Sequence, residues 1–253
     1  MKWIFRNIQG SSVQYHNPLN IPKPERPNNP SPLELAIYSY EVKAREFHIE
    51  KSKMAADDES VSDNELRILK SKRDWEHLRL ERRKIAAHIM LQEELVEYRT
   101  SNKLKSVKDL SKESHHPTGK LARNLTATGE PKPTVMHEPH HIIPGKGCHQ
   151  KVEMAIARMN LHAHGIGIND PLNGVWLRNF AKNTPDDWAT PDSPAHRPIH
   201  THNYETWINE RFSNDNLPES VFLSRLQTVK REIKSGTHPQ KILQSKDTNW
   251  AGI

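Results

Sequence analysis

His140-His141-Ile142-Ile143-Pro144-Gly145 is the stretch on which the fold of this chain turns. Two adjacent histidines precede a β-prone Ile-Ile pair, and Pro-Gly then turns the chain. Successive residues of a strand point to opposite faces. One histidine is thus free to face a metal ion while its neighbour faces a water or a substrate. Histidine suits both tasks, because near pH 7 the neutral ring is a common metal ligand and a general base. Further on, Asn169-Asp170-Pro171-Leu172-Asn173-Gly174-Val175-Trp176-Leu177-Arg178 joins an Asn-Gly turn signal to a short Val-Trp-Leu strand. Asn173 reads there either as a turn residue, since asparagine tolerates a left-handed backbone, or as part of a site.

The third stretch is His196-Arg197-Pro198-Ile199-His200-Thr201-His202-Asn203-Tyr204. Two histidines four apart lie on one side when they share a helix, which is the spacing a metal pair needs. Proline is tolerated only in a first turn, so His196 is expected in the loop entering the helix and His200 in its first turn. His202 is the competing ligand candidate. Of the 16 histidines, eleven fall between positions 115 and 202, which concentrates the chemistry there.

Composition sets the outer limits. Only 34% of the 253 residues are hydrophobic and the mean hydropathy is -0.85, as in a protein with a thin core and much polar surface. The net charge of +6 is weakly compatible with a polyanionic partner. Cys148 is the one cysteine, which excludes an intramolecular disulfide and any zinc site built on several thiolates; it reads as inert. The run Met1-Lys2-Trp3-Ile4-Phe5 is broken by Arg6 and Asn7 and is too short for a signal peptide. No other stretch is long enough to span a bilayer, so no membrane insertion is expected. The chain is expected to be made in the cytoplasm, and export would need a route without a cleaved signal.

Residues 1–30 read as an extended arm, because Pro18, Pro22, Pro24, Pro27 and Pro30 remove backbone donors and disfavour helix before them. Ser31-Pro32-Leu33-Glu34 is a capping box that opens a helix to about Lys53, with Leu33, Ile37, Tyr40, Ala44 and Phe47 as its apolar stripe. Ala55 to Ser60 is a short acidic turn. Ser62-Asp63-Asn64-Glu65 repeats the box and opens a longer helix striped by Trp75, Leu78, Ile85, Ile89 and Val96. Together they make residues 31–105 an antiparallel helical hairpin, serving either as a solvated scaffold or as a docking module. Residues 106–136 read as a polar linker with one short helix around Val107 to Ser114, and His115-His116 within it as a chance pair.

A compact unit then covers 137–253. A helix through Val152, Met154, Ala155, Ile156, Met159 and Leu161 is expected to pack on the core, with both methionines in the interior. Trp207, Ile208 and Phe212 mark another helix. A last one runs through Val221, Leu223, Leu226, Val229 and Ile233 to Gly236. The fold class is α+β, mostly helical.

A strand bearing His-His, a second strand preceded by Asn, and a helix bearing His-x3-His resemble the His-Me finger, the ββα-metal core of the HNH nucleases. More closely, the chain looks like the AHH family of bacterial toxin nucleases. The resemblance is carried by His140 to Lys146, Gly167-Ile168-Asn169-Asp170, Asn173 to Leu177, and His196-x3-His200-x3-Tyr204. It covers roughly 137–212, residues 1–130 carry none of it, and Pro139 stands where the family name expects alanine.

The resemblance implies a C-terminal ββα-metal nuclease domain with extra helices. His141 would be the general base, with the Asn173 side-chain carbonyl fixing its tautomer. His140 and His200, with His196, would hold one divalent ion. An all-imidazole set favours Zn2+, Ni2+ or Co2+ on softness, while similar nucleases are often described as working with Mg2+. Lys146, Lys151 and Arg178 are candidates for phosphate contacts.

The function implied is a DNA endonuclease without strong sequence preference. It would act as an antibacterial toxin in the cytoplasm of a target cell, delivered by a specialised secretion system and neutralised by a cognate immunity protein. Residues 31–105 would offer a surface to a secretion carrier or adaptor. Two other readings stay open: an RNase using the same site, and a non-catalytic zinc-stabilised module in which His202 or Cys148 closes the coordination shell.

Overall fold

Two five-residue strands, β1 (His137–His141) and β2 (Gly174–Arg178), pair antiparallel, with His140 opposite Val175 and His141 opposite Gly174. The two expected strands are therefore present and paired, although Ile142 and Ile143 lie just beyond β1. The computed structural model describes residues 22–52 and 60–253. Its backbone divides into two units, Met1–Ala87 and His88–Ile253. Among the described residues no helix is long and apolar enough to cross a membrane.

In the first unit, α1 (Pro32–Ser52) starts where the capping box predicts. The Ser31 N–H donates to Glu34 at 2.8 Å, and the Glu34 N–H donates back to the Ser31 hydroxyl at 3.3 Å. The next helix, α2 (Val61–Lys103), begins two residues earlier than expected. Its cap is Ser60, whose hydroxyl accepts from the Asp63 N–H at 3.1 Å and donates to the Asp63 carboxylate at 2.6 Å. The box read at 62–65 thus lies inside the helix; the same Ser-x-x-acid pattern recurs two positions upstream. Phe47 stacks on Trp75 at 5.8 Å and Lys43 lies 3.4 Å from His77, the reversed order of an antiparallel pair. The α2 stripe is only partly buried, with Leu78 inside and Trp75 exposed. Residues 1–21 of the expected arm and residues 55–59 of the acidic turn lie outside the described residues, and 22–30 form no helix or strand.

In the second unit, α5 (Lys151–Ala163), α7 (His202–Phe212) and α8 (Glu219–Ser235) share one core with the strand pair. Trp207, Tyr204, Phe212 and Phe222 are fully buried in it, and each large side chain removed from water contributes roughly 1.5–3 kcal/mol. Met154, Ala157 and Leu161 form the inward face of α5. Met159 is 54% exposed, which corrects the expectation for that methionine. It sits five residues after Met154 and so faces away on a 3.6-residue period. Gly236 ends α8 with φ 69°, the left-handed cap for which glycine is suited.

Residues 106–136 are not a bare linker. They carry α3 (Val107–Ser111) and α4 (Gly119–Ala127), with Leu110, Leu121 and Leu125 buried. Leu121 and Leu125, one helical turn apart, pack on Trp176 and cover the second face of β2. The rest of that segment is polar enough to hide so short a stripe. Finally, α6 (His196–Ile199) is a single turn, and His200 lies in the break before α7. His196 and His200 therefore flank one short turn and do not ride on one long helix.

Candidate functional site

The pleat of β1 sends its two histidines to opposite sides. On one side His140 meets His196 and His200 from either end of α6. One ring nitrogen of each lies within 4.8 Å of the others, a group able to hold a metal ion. The ring centroids of His196 and His200 lie 5.2 and 5.1 Å from that of His140, and 5.0 Å from each other.

Hydrogen bonds behind the rings decide which nitrogen faces inward. The Tyr204 hydroxyl donates to the Ile142 carbonyl at 2.7 Å, so toward His140 Nε2, 3.0 Å away, it accepts. His140 therefore carries its proton on Nε2 and a lone pair on Nδ1. That Nδ1 is buried and has no protein partner. An orphaned buried acceptor is costly unless something binds it, and a divalent cation fits. His196 is held likewise, its Nδ1 2.8 Å from a Glu138 carboxylate oxygen, which turns Nε2 away from the carboxylate.

Burial disfavours the charged form of all three rings, and the neutral form is the one that ligates metals. Burial, then the neighbouring histidines, holds His140 well below the usual histidine range. Burial, then His196, brings His200 down to about 4. Burial lowers His196 too, against the opposing pull of Glu138.

On the other side of β1, His141 Nε2 lies 3.1 Å from Asn169 Oδ1. Asn169 Nδ2 donates to the Ser114 carbonyl at 2.9 Å, which leaves Oδ1 as the acceptor and puts the His141 proton on Nε2. Its Nδ1 then holds the lone pair. Burial brings His141 to about 4, with the Asn169 bond raising it and His115, His116 and Arg158 lowering it further. The His115 ring stands edge-on to His141, 6.3 Å between centroids, and occupies the space above Gly145 that any Cβ would need. His116 lies against His115 at 4.5 Å. The pair read as chance is thus brought to the edge of the site.

Two expected site residues do other work. Asn173 does not touch the His141 ring. Its Oδ1 accepts from the Ile143 N–H at 2.8 Å, and its Nδ2 donates to the Ile143 and Ile168 carbonyls at 3.1 Å each. It pins the chain leaving β1 to the chain entering β2, while Asn169 takes the contact with His141. Arg178 is buried, 2.7 Å from Asp187 and 2.8 Å from the Thr190 carbonyl, and also bonded to the Ser193 carbonyl. It is committed to the protein and corrected as a phosphate contact.

Lys146 is exposed, on the rim of a groove shared with Lys108, Lys151 and Arg158. His202 opens α7 with its ring 6.1 Å from His149, outside the three-histidine cluster. Cys148 is also outside the cluster and exposed, its N–H donating to Glu205 at 2.6 Å. Sequence alone assigns no role to Glu138 or Tyr204. Tyr204 stands one turn after His200, and Glu138 two residues before His140, but spacing does not reveal their proton bookkeeping.

A two-stranded ribbon followed by a short helical turn thus carries three histidines able to hold a metal ion, and beside them His141 with its lone pair on Nδ1. Residues 121–218 match the model of the AHH family, a nuclease family of the HNH/ENDO VII superfamily with conserved AHH. That region contains the whole triad, His141, Asn169 and Tyr204, and leaves α1, α2, α3 and α8 outside. No curated protein and no solved structure matches the chain.

Proposed function

We propose that this protein is a metal-dependent endonuclease that hydrolyses phosphodiester bonds in DNA without strong sequence preference. The observation that carries the reading is the end of β1, where His140 joins the His196–His200 cluster able to hold a metal ion and the next residue, His141, keeps Nδ1 as a proton acceptor, with His116 near enough to act on both. The match of this region to a nuclease family supports it.

His140, His196 and His200 would hold one divalent ion, which would supply positive charge to stabilise the negative charge that develops on the reacting phosphate. His141 Nδ1 takes a proton from the attacking water as its oxygen bonds to phosphorus. The bond from phosphorus to the leaving oxygen breaks, and that oxygen leaves as an alcohol after taking a proton from solvent. Asn169 keeps the His141 ring in the accepting tautomer throughout. Lys146, with Lys108 and Lys151, offers cations to neighbouring phosphates, a contact that reads no sequence. Three imidazole donors favour Zn2+ or Ni2+ over Mg2+.

The toxin role is proposed on the resemblance to toxin nucleases. In this reading the protein acts in the cytoplasm of a target cell and the producer is protected by an immunity protein. The helices of residues 31–105 then offer a surface to a secretion carrier or adaptor. Against a purely structural zinc site stands the count of ligands: three histidines among the described residues leave a coordination position open, as catalytic sites do.

Plasmid cleavage by purified protein tests the proposal, with EDTA and with Mg2+, Mn2+, Ni2+ and Zn2+ restored in turn, beside His141→Ala. Metal-dependent nicking that disappears in the variant is expected. Intact plasmid with cleaved RNA would move the substrate to RNA, and survival of both would leave a metal-binding module.

A further inference from the structure

The residue that holds the base is itself held from outside the matched region. Glu113 lies on the segment between α3 and α4. Its Oε1 accepts from Asn169 Nδ2 at 3.1 Å and from Lys120 Nζ at 2.6 Å, and its Oε2 accepts from the Tyr98 hydroxyl, near the end of α2, at 2.8 Å. Asn169 Nδ2 also donates to the Ser114 carbonyl. Both protons of the Asn169 amide therefore point at groups that only accept. The amide cannot turn over without setting oxygen against oxygen on two sides.

The backbone of the loop is pinned as firmly. Asn124 donates to the Asn169 carbonyl at 2.8 Å, and Arg99 grips both carboxylate oxygens of Asp170 at 2.8 and 2.9 Å. At Gly167 a Cβ would collide with the Tyr98 hydroxyl, Asn102 and Glu113, so the loop seats directly on this network.

We infer that Glu113 is a positioning residue for the site: by orienting the Asn169 amide it keeps the His141 proton on Nε2 and presents Nδ1 as the base. The geometry stands by itself; only the consequence for rate rests on the nuclease reading. If the amide were released, its NH2 could turn toward His141 and draw the lone pair to Nε2, leaving the proton on the nitrogen that must accept one. What matters is an acceptor at the right place. Glutamine can supply it, with its oxygen toward Asn169 and Lys120 and its NH2 toward the Tyr98 oxygen, whereas alanine cannot.

The test uses full-length, metal-free protein carrying 15N-labelled histidine, with His141 assigned by the signals lost in His141→Ala. Long-range proton–nitrogen correlations of the ring report the tautomer. Wild type and Glu113→Gln are expected to show the Nε2–H form, and Glu113→Ala a mixture or the other form. Zinc affinity, read by calorimetry, should stay unchanged in both variants, because the triad lies on the other face of β1. In the cleavage assay Glu113→Ala should lower kcat by about 10- to 100-fold at unchanged KM, with Glu113→Gln restoring it.

A wild-type tautomer and wild-type kcat in Glu113→Ala would overturn the inference. If that variant does not fold, Glu113→Asp keeps the charge for Lys120 but draws the carboxylate back from Asn169. It is expected to shift the tautomer in the same direction, and a wild-type ring there would overturn the inference equally. A shifted tautomer in protein that cleaves no nucleic acid would keep the positioning role and remove the nuclease reading alone.

Discussion

Tyr204 and His140 share a 3.0 Å contact between hydroxyl and Nε2 that, with the Tyr204 proton given to Ile142, leaves His140 Nδ1 as a lone-pair donor. Tyr204→Phe keeps the ring in the core and removes the hydroxyl, both the acceptor for His140 and the donor to the Ile142 carbonyl. Zinc affinity should fall by about 10- to 100-fold, as when hydrogen-bond partners of metal ligands are lost. Calorimetric titration measures it, and an unchanged Kd would reduce Tyr204 to a filler of space.

Glu138 plays the same part for His196 from 2.8 Å. Glu138→Gln retains an acceptor and should weaken zinc binding less than Glu138→Ala. Equal losses in the two would show that charge, and not ring orientation, is what Glu138 contributes.

Asn173→Ala should act on stability first. It strips partners from the buried N–H and carbonyl of Ile143 and the carbonyl of Ile168. Each buried group left alone costs roughly 1–3 kcal/mol, and at this chain length about 2–4 °C is lost per kcal/mol. Thermal unfolding should show a clear drop in Tm. In contrast, His141→Ala should lose cleavage and keep both Tm and metal; loss of metal there would mean that His140 and His141 have exchanged roles.

Arg178 and Asp187 form a buried pair whose pH dependence has a definite sign. Burial raises the Asp187 carboxyl, but the Thr190 N–H and hydroxyl and the Arg178 guanidinium outweigh it and bring it to about 2, against 3.8 for a free aspartate. A depressed carboxylate stabilises the fold fully above its unfolded value and loses that contribution as pH falls through the folded one. Urea titrations at pH about 5 and about 2 should show the loss, with Asp187→Asn flattening it. Arg178→Ala, which leaves Asp187 buried and unpaired, should destabilise by about 3–5 kcal/mol. A variant that folds normally but binds nucleic acid less tightly would return Arg178 to the phosphate contacts.

What the sequence revealed follows periodicity and local grammar. The His-His strand, the turn before β2, the Ser31 box and the Gly236 cap each depend on neighbours within a few positions. The partner of His141 did not: sequence points to Asn173, and only the amide hydrogen bonds show that Asn169 holds the ring. Arg178 ends β2, whose Val175 and Leu177 enter the main core while Trp176 lies under α4, and the chain around Asp187 to Ser193 closes over the arginine itself, a contact no local pattern reveals. The role of 106–136 was hidden because its buried side chains are few, and that of Glu113 because its partners lie 15 and 56 residues away.

Because His140 and His141 are adjacent yet have different partners, Tyr204 for one and Asn169 for the other, the proposed base could be removed without disturbing the proposed metal ligands. A copy altered only at position 141 would keep the ion, the core and the outer surface of the active one. Anything that recognises the folded molecule would then accept both alike, so that a silent copy competes with an active one on equal terms.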